Sequence, residues 1–95
     1  MAQNTTVTLV ANTSTLITDG DVTSARVQNL SGYDVDLQAT AGATAPASWA
    51  GAIRLGPGQT LAADLTLAQL WPGVAGANRL HARSGFGVTL SVSHA

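Results

Sequence analysis

Residues 78–94 read Asn-Arg-Leu-His-Ala-Arg-Ser-Gly-Phe-Gly-Val-Thr-Leu-Ser-Val-Ser-His. Apolar and polar side chains alternate twice over. Leu80 and Ala82 oppose Arg79, His81 and Arg83; then Val88, Leu90 and Val92 oppose Thr89, Ser91 and Ser93. A period of two sends successive side chains to opposite faces, so each stretch reads as a half-buried β-strand. Matching their apolar faces demands an odd loop around Gly85. The expected hairpin sets Leu80 against Leu90 and Ala82 against Val88. It leaves Arg79, His81 and Arg83 as a polar ridge on the other side.

The same period recurs upstream. Strands are predicted over residues 5–11, 15–18, 23–29, 33–39, 52–55 and 59–64. Asn12-Thr13-Ser14 and Asp19-Gly20-Asp21 are turn clusters, and Gly56-Pro57-Gly58 suits a type II turn. Leu30-Ser31-Gly32 predicts a hairpin loop with a G1 bulge, placing Arg26 opposite Asp36 and Gln28 opposite Asp34. Thr66-Leu67-Ala68-Gln69 has the form of a capping box, and Pro72-Gly73 stops the helix after one turn. The sum is an all-β chain: a small antiparallel β-sandwich or barrel of seven to eight short strands, with a helical turn near residues 66–71 as a lid on the core. One domain spanning residues 1–95 is expected, with a flexible N-terminal segment 1–5 and a long Ala/Thr/Gly loop over residues 39–51.

Composition narrows the chemistry. The 95 residues include 17 Ala and 12 Thr but no Lys, Glu or Cys. Charged residues make up 9%, against about 25% in ordinary globular domains. Without cysteine there is no disulfide framework, thiolate nucleophile or Cys-based metal site. A net charge of -1 and no basic run argue against binding nucleic acid through its phosphates. No apolar run approaches the ~20 residues of a membrane-spanning helix. The first residues lack the basic and apolar regions of a signal peptide, so the sequons at Asn4, Asn12 and Asn29 read as strand and turn composition.

Candidate sites are few. Asp19 with Asp21 and Asp34 with Asp36 are paired carboxylates, but no calcium-loop pattern follows either pair. His81 and His94 have no marked third ligand for zinc, and no G-x-S-x-G elbow is present. No catalytic residue, metal site or cofactor is therefore assigned, and the expectation is a protein that is not an enzyme. Two features point to partner binding. The loop over residues 39–51 has no period and carries Thr44, Pro46 and Trp49; it is either a surface meander pinned by Trp49 or an arm that docks on a partner with Trp49 as its anchor. The ridge with Arg79 and Arg83 and the Thr-rich start with Thr5 and Thr6 complete the candidate contact set. Low charge and many small side chains fit a protein that hides much of its surface by oligomerising or by joining a larger assembly.

Several stretches carry a family resemblance. Val27-Gln28-Asn29-Leu30-Ser31-Gly32-Tyr33-Asp34-Val35, Gly51-Ala52-Ile53-Arg54-Leu55-Gly56-Pro57-Gly58-Gln59, Leu70-Trp71-Pro72-Gly73 and Val92-Ser93-His94-Ala95 resemble small virion proteins of tailed bacteriophages, especially those of marine alphaproteobacteria. The likeness covers residues 20–95 and lies in turns and strand ends. It implies a capsid decoration (cement) protein, a homo-oligomer such as a trimer, that bridges subunits of the phage major capsid protein. Its place would be the virion surface, with the host cytoplasm as the site of assembly. A minor head–tail, tail or head-fibre component is an alternative with the same traits. A carbohydrate-binding module for the host surface is a third reading, limited by the few aromatic residues: Tyr33, Trp49, Trp71 and Phe86.

Overall fold

The structure, a computed structural model, describes residues 3–94. The elements run β1 (Gln3–Leu9), β2 (Thr15–Leu16), β3 (Arg26–Asn29), β4 (Val35–Thr40), β5 (Ile53–Leu55), β6 (Thr60–Leu61), α1 (Leu67–Leu70), β7 (Arg79–Arg83) and β8 (Val88–His94). Two four-stranded antiparallel sheets form, in the orders β1-β8-β3-β6 and β2-β7-β4-β5. We call them the first and second sheets. This order is that of a jelly roll: a long folded-over ribbon, closing at the β4–β5 hairpin, is rolled so that its two layers face each other. The expected all-β class holds, and the sandwich alternative is the one realised.

The core fills the space between the layers. Val88, Leu90 and Val92 of β8 and Val27 of β3 point inward from the first sheet; Val35 and Leu37 of β4 and Leu80 and Ala82 of β7 point inward from the second. All are at least 98% buried, and each large aliphatic among them contributes roughly 1.5–3 kcal/mol. Helix α1 closes part of the core with Leu67 and the following Trp71. Both halves of its capping box are present: the Gln69 amide donates to the Thr66 hydroxyl, and the Thr66 amide to Gln69 Oε1. The turn at residues 56–59 also forms as expected, with Pro57 second and Gly58 at φ +76° in the third position.

Two expected hairpins are corrected. β3 and β4 belong to different sheets, as do β7 and β8. Arg26 therefore lies opposite Ser93, not Asp36, and Gln28 lies opposite Ser91 and Thr60, not Asp34. Leu80 is in register with Ala39, not Leu90, and Ala82 with Leu37 and Thr15, not Val88. The physical reason is a degeneracy of period two. Alternation says which side chains enter the core, and the same set enters whether two strands pair edge to edge or face each other across a sandwich. Gln3, Asn4 and Thr5 of the expected flexible segment are paired with β8, while Met1 and Ala2 lie outside the described residues. The long loop starts after Thr40, because β4 continues through Ala39 and Thr40.

Asn29 turns the chain from one sheet to the other. It is fully buried at the end of β3. Its carboxamide nitrogen lies 2.6 Å from the Tyr33 carbonyl, 3.1 Å from that of Leu55 and 3.2 Å from that of Gly56. Its Oδ1 accepts from the Ser31 amide at 3.0 Å and the Ser31 hydroxyl at 2.7 Å. One side chain thus serves the crossover to β4 and the β5–β6 turn. The Asn29 sequon is consequently a structural amide, closed to glycan attachment in the folded chain. Asn29→Leu keeps similar bulk but strands these backbone groups without partners. We expect it to lower stability by about 3 kcal/mol in urea unfolding; a loss below about 1 kcal/mol would show that the crossover holds without the amide.

Candidate docking surface

The outer face of the second sheet is built from β4 and β7. Their register sets Asp36 beside Arg83, Gln38 beside His81 and Thr40 beside Arg79, with Arg54 of β5 on the far side of Asp36. This is the expected ridge, but its middle, Gln38 with His81, is closed to solvent. Residues 41–51 fold back over it. Gln38 donates from Nε2 to the Ser48 carbonyl at 3.3 Å and the Ala50 carbonyl at 2.9 Å. His81 Nε2 lies 3.2 Å from the Ala43 carbonyl and Nδ1 3.3 Å from the Thr40 hydroxyl. A carbonyl can only accept, so Nε2 carries the proton. The Arg83 guanidinium sits 4.4 Å from the centre of the Trp49 ring, a cation–π contact. Trp71 Nε1 donates to the Gly51 carbonyl at 3.2 Å and fixes the end of the segment.

The loop is therefore pinned to the second sheet, by Gln38 and His81 as well as by Trp49. Trp49 and Pro46 are half-buried and Thr44 is exposed. Gln38, which sequence reasoning did not single out, and His81, read there as a member of the polar ridge, are its anchors and are almost fully buried. A signal for them was present: a segment without its own ladder has backbone carbonyls that need donors, and the strand beneath must supply them. Arg79 lies at the other end of the ridge and pairs with Asp21 at 2.8 Å. Burial holds the His81 pKa below its ordinary value; the Ala43 carbonyl opposes this, and the Arg79 charge adds to it.

The first sheet presents a different outer face. Register aligns Thr6, Ser91, Gln28 and Thr60 in one row across all four strands. Thr8 with Thr89 forms a second row, and Asn4, Ser93 and Arg26 a third. Arg26 donates to the Ser93 hydroxyl at 3.1 Å, and Ser93 in turn to Asn4 Oδ1. Arg26 is the one charged side chain in these rows. Gln28 donates from Nε2 to the Gly58 carbonyl at 3.4 Å, tying the row through Ser91 to the β5–β6 turn. β1 is the sheet's edge and spans seven residues, QNTTVTL, with no charge and no proline. The other three edge strands have two or three residues. Short strands blunt an edge; a long neutral one leaves amides and carbonyls open to another chain.

The sequence-predicted contact residues thus divide between two sides of the sandwich. Thr44, Pro46, Trp49, Arg79 and Arg83 belong to the covered second sheet, and Thr5 and Thr6 to β1 of the first. They do not form one patch. Thr6 points outward in its row, while Thr5 turns toward the groove between β1 and β2 beside Val7, Leu16 and Ile17. Among the described residues, no three His or Asp side chains gather to hold a metal ion, and no helix is long and apolar enough to cross a membrane. No protein-family model, curated protein or solved structure matches the chain.

Two outcomes test the loop's attachment. Trp49→Ala removes a half-exposed stacking contact and is expected to cost about 1 kcal/mol. Gln38→Leu strips the donor from two loop carbonyls, and in the same urea titration should cost more, about 1–3 kcal/mol. Protonation of His81 gives the second. Its folded pKa lies below the unfolded value of about 6.5. The unfolded chain therefore takes up the proton first, and His81's contribution is complete above about pH 6.5 and fades as pH falls through the folded pKa. The melting temperature should drop on mild acidification, and His81→Gln should make that drop shallower.

Proposed function

We propose that this chain is a structural virion protein, a decoration protein that binds the outside of a tailed-phage capsid and reinforces it by bridging subunits of the major capsid protein. The observation that carries the reading is the outer face of the first sheet: rows of hydroxyl and amide side chains with one charge, flush with a long uncapped edge strand. Interfaces are depleted in charged residues at their centres, because burying an ion costs far more than burying a hydroxyl that finds a partner. A face of this kind docks without stripping ions of water. The β1 edge adds backbone hydrogen bonds, to the capsid or to a neighbouring copy in a homo-oligomer such as a trimer. The mechanism is passive: each bound copy adds buried area and a further link between shell subunits, and needs no nucleophile or cofactor. The resemblance to small phage virion proteins supplies the partner. Jelly rolls serve viral capsids, lectins and enzymes alike, so the fold lends no more than compatibility. Assembly would take place in the host cytoplasm and the final location would be the capsid surface.

On this reading Thr6 faces the shell with its row, Thr5 lies behind it in the groove between β1 and β2, and Trp49, Pro46, Thr44, Arg79 and Arg83 lie on the outward side. The copy number per virion of the phage that encodes the chain, measured by quantitative mass spectrometry, should stand in a simple ratio to the major capsid protein. A few copies per particle would instead indicate a vertex, head-fibre or tail component. Thr6→Arg and Ser91→Arg place charge at the centre of the face and should abolish binding to undecorated capsids while melting curves stay near wild type. Trp49→Ala should bind normally; loss of binding by Trp49→Ala together with normal binding by the two arginine variants would move the interface to the loop side.

A further inference from the structure

One end of the sandwich gathers groups that the capsid reading leaves without a task. The crossover from β3 to β4 carries Tyr33, and the crossover from β7 to β8 carries Phe86. The two rings stack, with centroids 4.0 Å apart and planes 16° from parallel. Both remain about half exposed, at 48% and 53%. The two loops are locked to each other beneath the rings. The buried Ser84 hydroxyl donates to the Asp34 carbonyl at 2.7 Å and accepts from the Phe86 amide at 3.3 Å. The ring pair is thus held in place before any ligand arrives, which lowers the ordering cost of binding.

Beside the rings is a cleft of about 340 Å³ lined by Asp34, Asp36, Arg54 and Arg83. Ligand pockets range over roughly 300–1,000 Å³, so this one suits a small determinant rather than a long chain. Arg54 forks onto Asp36, Nε to Oδ1 at 2.9 Å and Nη2 to Oδ2 at 3.4 Å. Arg83 is held over Trp49. Two carboxylates and two guanidinium groups cancel, so the cleft has dense hydrogen-bonding capacity and no net charge. That balance disfavours a phosphate, a carboxylate or a basic peptide. It suits a neutral ligand with many hydroxyls and an apolar face.

We infer that this cleft is a binding site for a neutral saccharide. The ring pair would receive the C–H face of a sugar. Asp34 and Asp36 would accept from hydroxyls, and the outer N–H groups of Arg54 would donate to them. The site lies at the end of the sandwich on the side of the second sheet, away from the rows through Thr6 and Ser91. It rests on the cleft alone and stands whether or not the chain binds a capsid.

The test is a glycan array probed with the fluorescently labelled full chain, followed by ¹⁵N-resolved titration with an oligosaccharide that binds. Binding to uncharged glycans is expected, with amide shifts confined to residues 32–36, 54 and 83–87. Phe86→Ala and Asp36→Asn should each weaken it about tenfold, while Thr6→Arg leaves it unchanged. Phe86 is exposed, and a melting curve near wild type would confirm that its variant folds. A flat array would overturn the proposal. So would hits restricted to sialylated or sulfated glycans, or shifts that fall outside the cleft.

Discussion

The carboxamide of Asn29 is the interaction on which the architecture turns. A jelly roll passes its chain repeatedly from one sheet to the other, and each passage breaks the ladder and exposes backbone groups at the rim of a dry core. Asn29 meets the needs of two such places at once, reaching the carbonyls of Tyr33, Leu55 and Gly56 and the amide of Ser31. Other buried polar side chains take up the same work elsewhere. Ser84 ties the β7–β8 crossover to Asp34, and the Asp19 amide donates to His94 at 3.1 Å. Gln38 and His81 hold residues 41–51. The buried polar atoms of this chain are concentrated at its seams, where backbone would otherwise be unsatisfied.

The charges are used with similar economy. Each of the four arginines has a defined neighbour: Arg54 with Asp36, Arg79 with Asp21, Arg83 over Trp49 and Arg26 on Ser93. The exposed pairs contribute little to stability. Their effect is on the field of the surface, which they leave nearly neutral. A weak field neither steers nor repels, so association depends on shape, hydrogen bonds and apolar contact. The two proposed contact regions fit that regime in different ways. The first sheet offers an extended hydroxyl–amide face to a protein, and the cleft at the end of the sandwich offers stacked rings and neutralised polar groups to a small ligand.

Separation of these regions follows from the winding. β7 and β8 are neighbours in sequence, yet their outward residues face opposite sides of the molecule. Arg83 therefore lies with Trp49 on the second sheet, while Ser91 joins Thr6 on the first. The same winding brings Tyr33 and Phe86, 53 positions apart in the sequence, into a stack. Both sit in crossovers that leave the sheets at one end.

Local physics was legible in the residues themselves. Alternation located the strands, with Val88–His94 matched to the residue. It also named the core, since side chains at every second position either enter it or do not. The capping box of Thr66 and Gln69 and the Pro57–Gly58 turn are set by neighbours along the chain, and the structure has both. Partner choice was not legible. A strand's inward face is the same whether its neighbour pairs beside it or packs across from it, so sequence alone favoured two hairpins where the chain crosses between sheets. The contact residues shared that limit. Thr5, Thr6, Trp49 and Arg83 stand out by type, but only the tertiary structure decides which share a side, because that depends on which sheet each strand joins. The roles of Gln38 and His81, and the cleft between Tyr33, Phe86 and Arg54, were likewise decided there. Each depends on groups far apart in sequence that meet only when the two layers close.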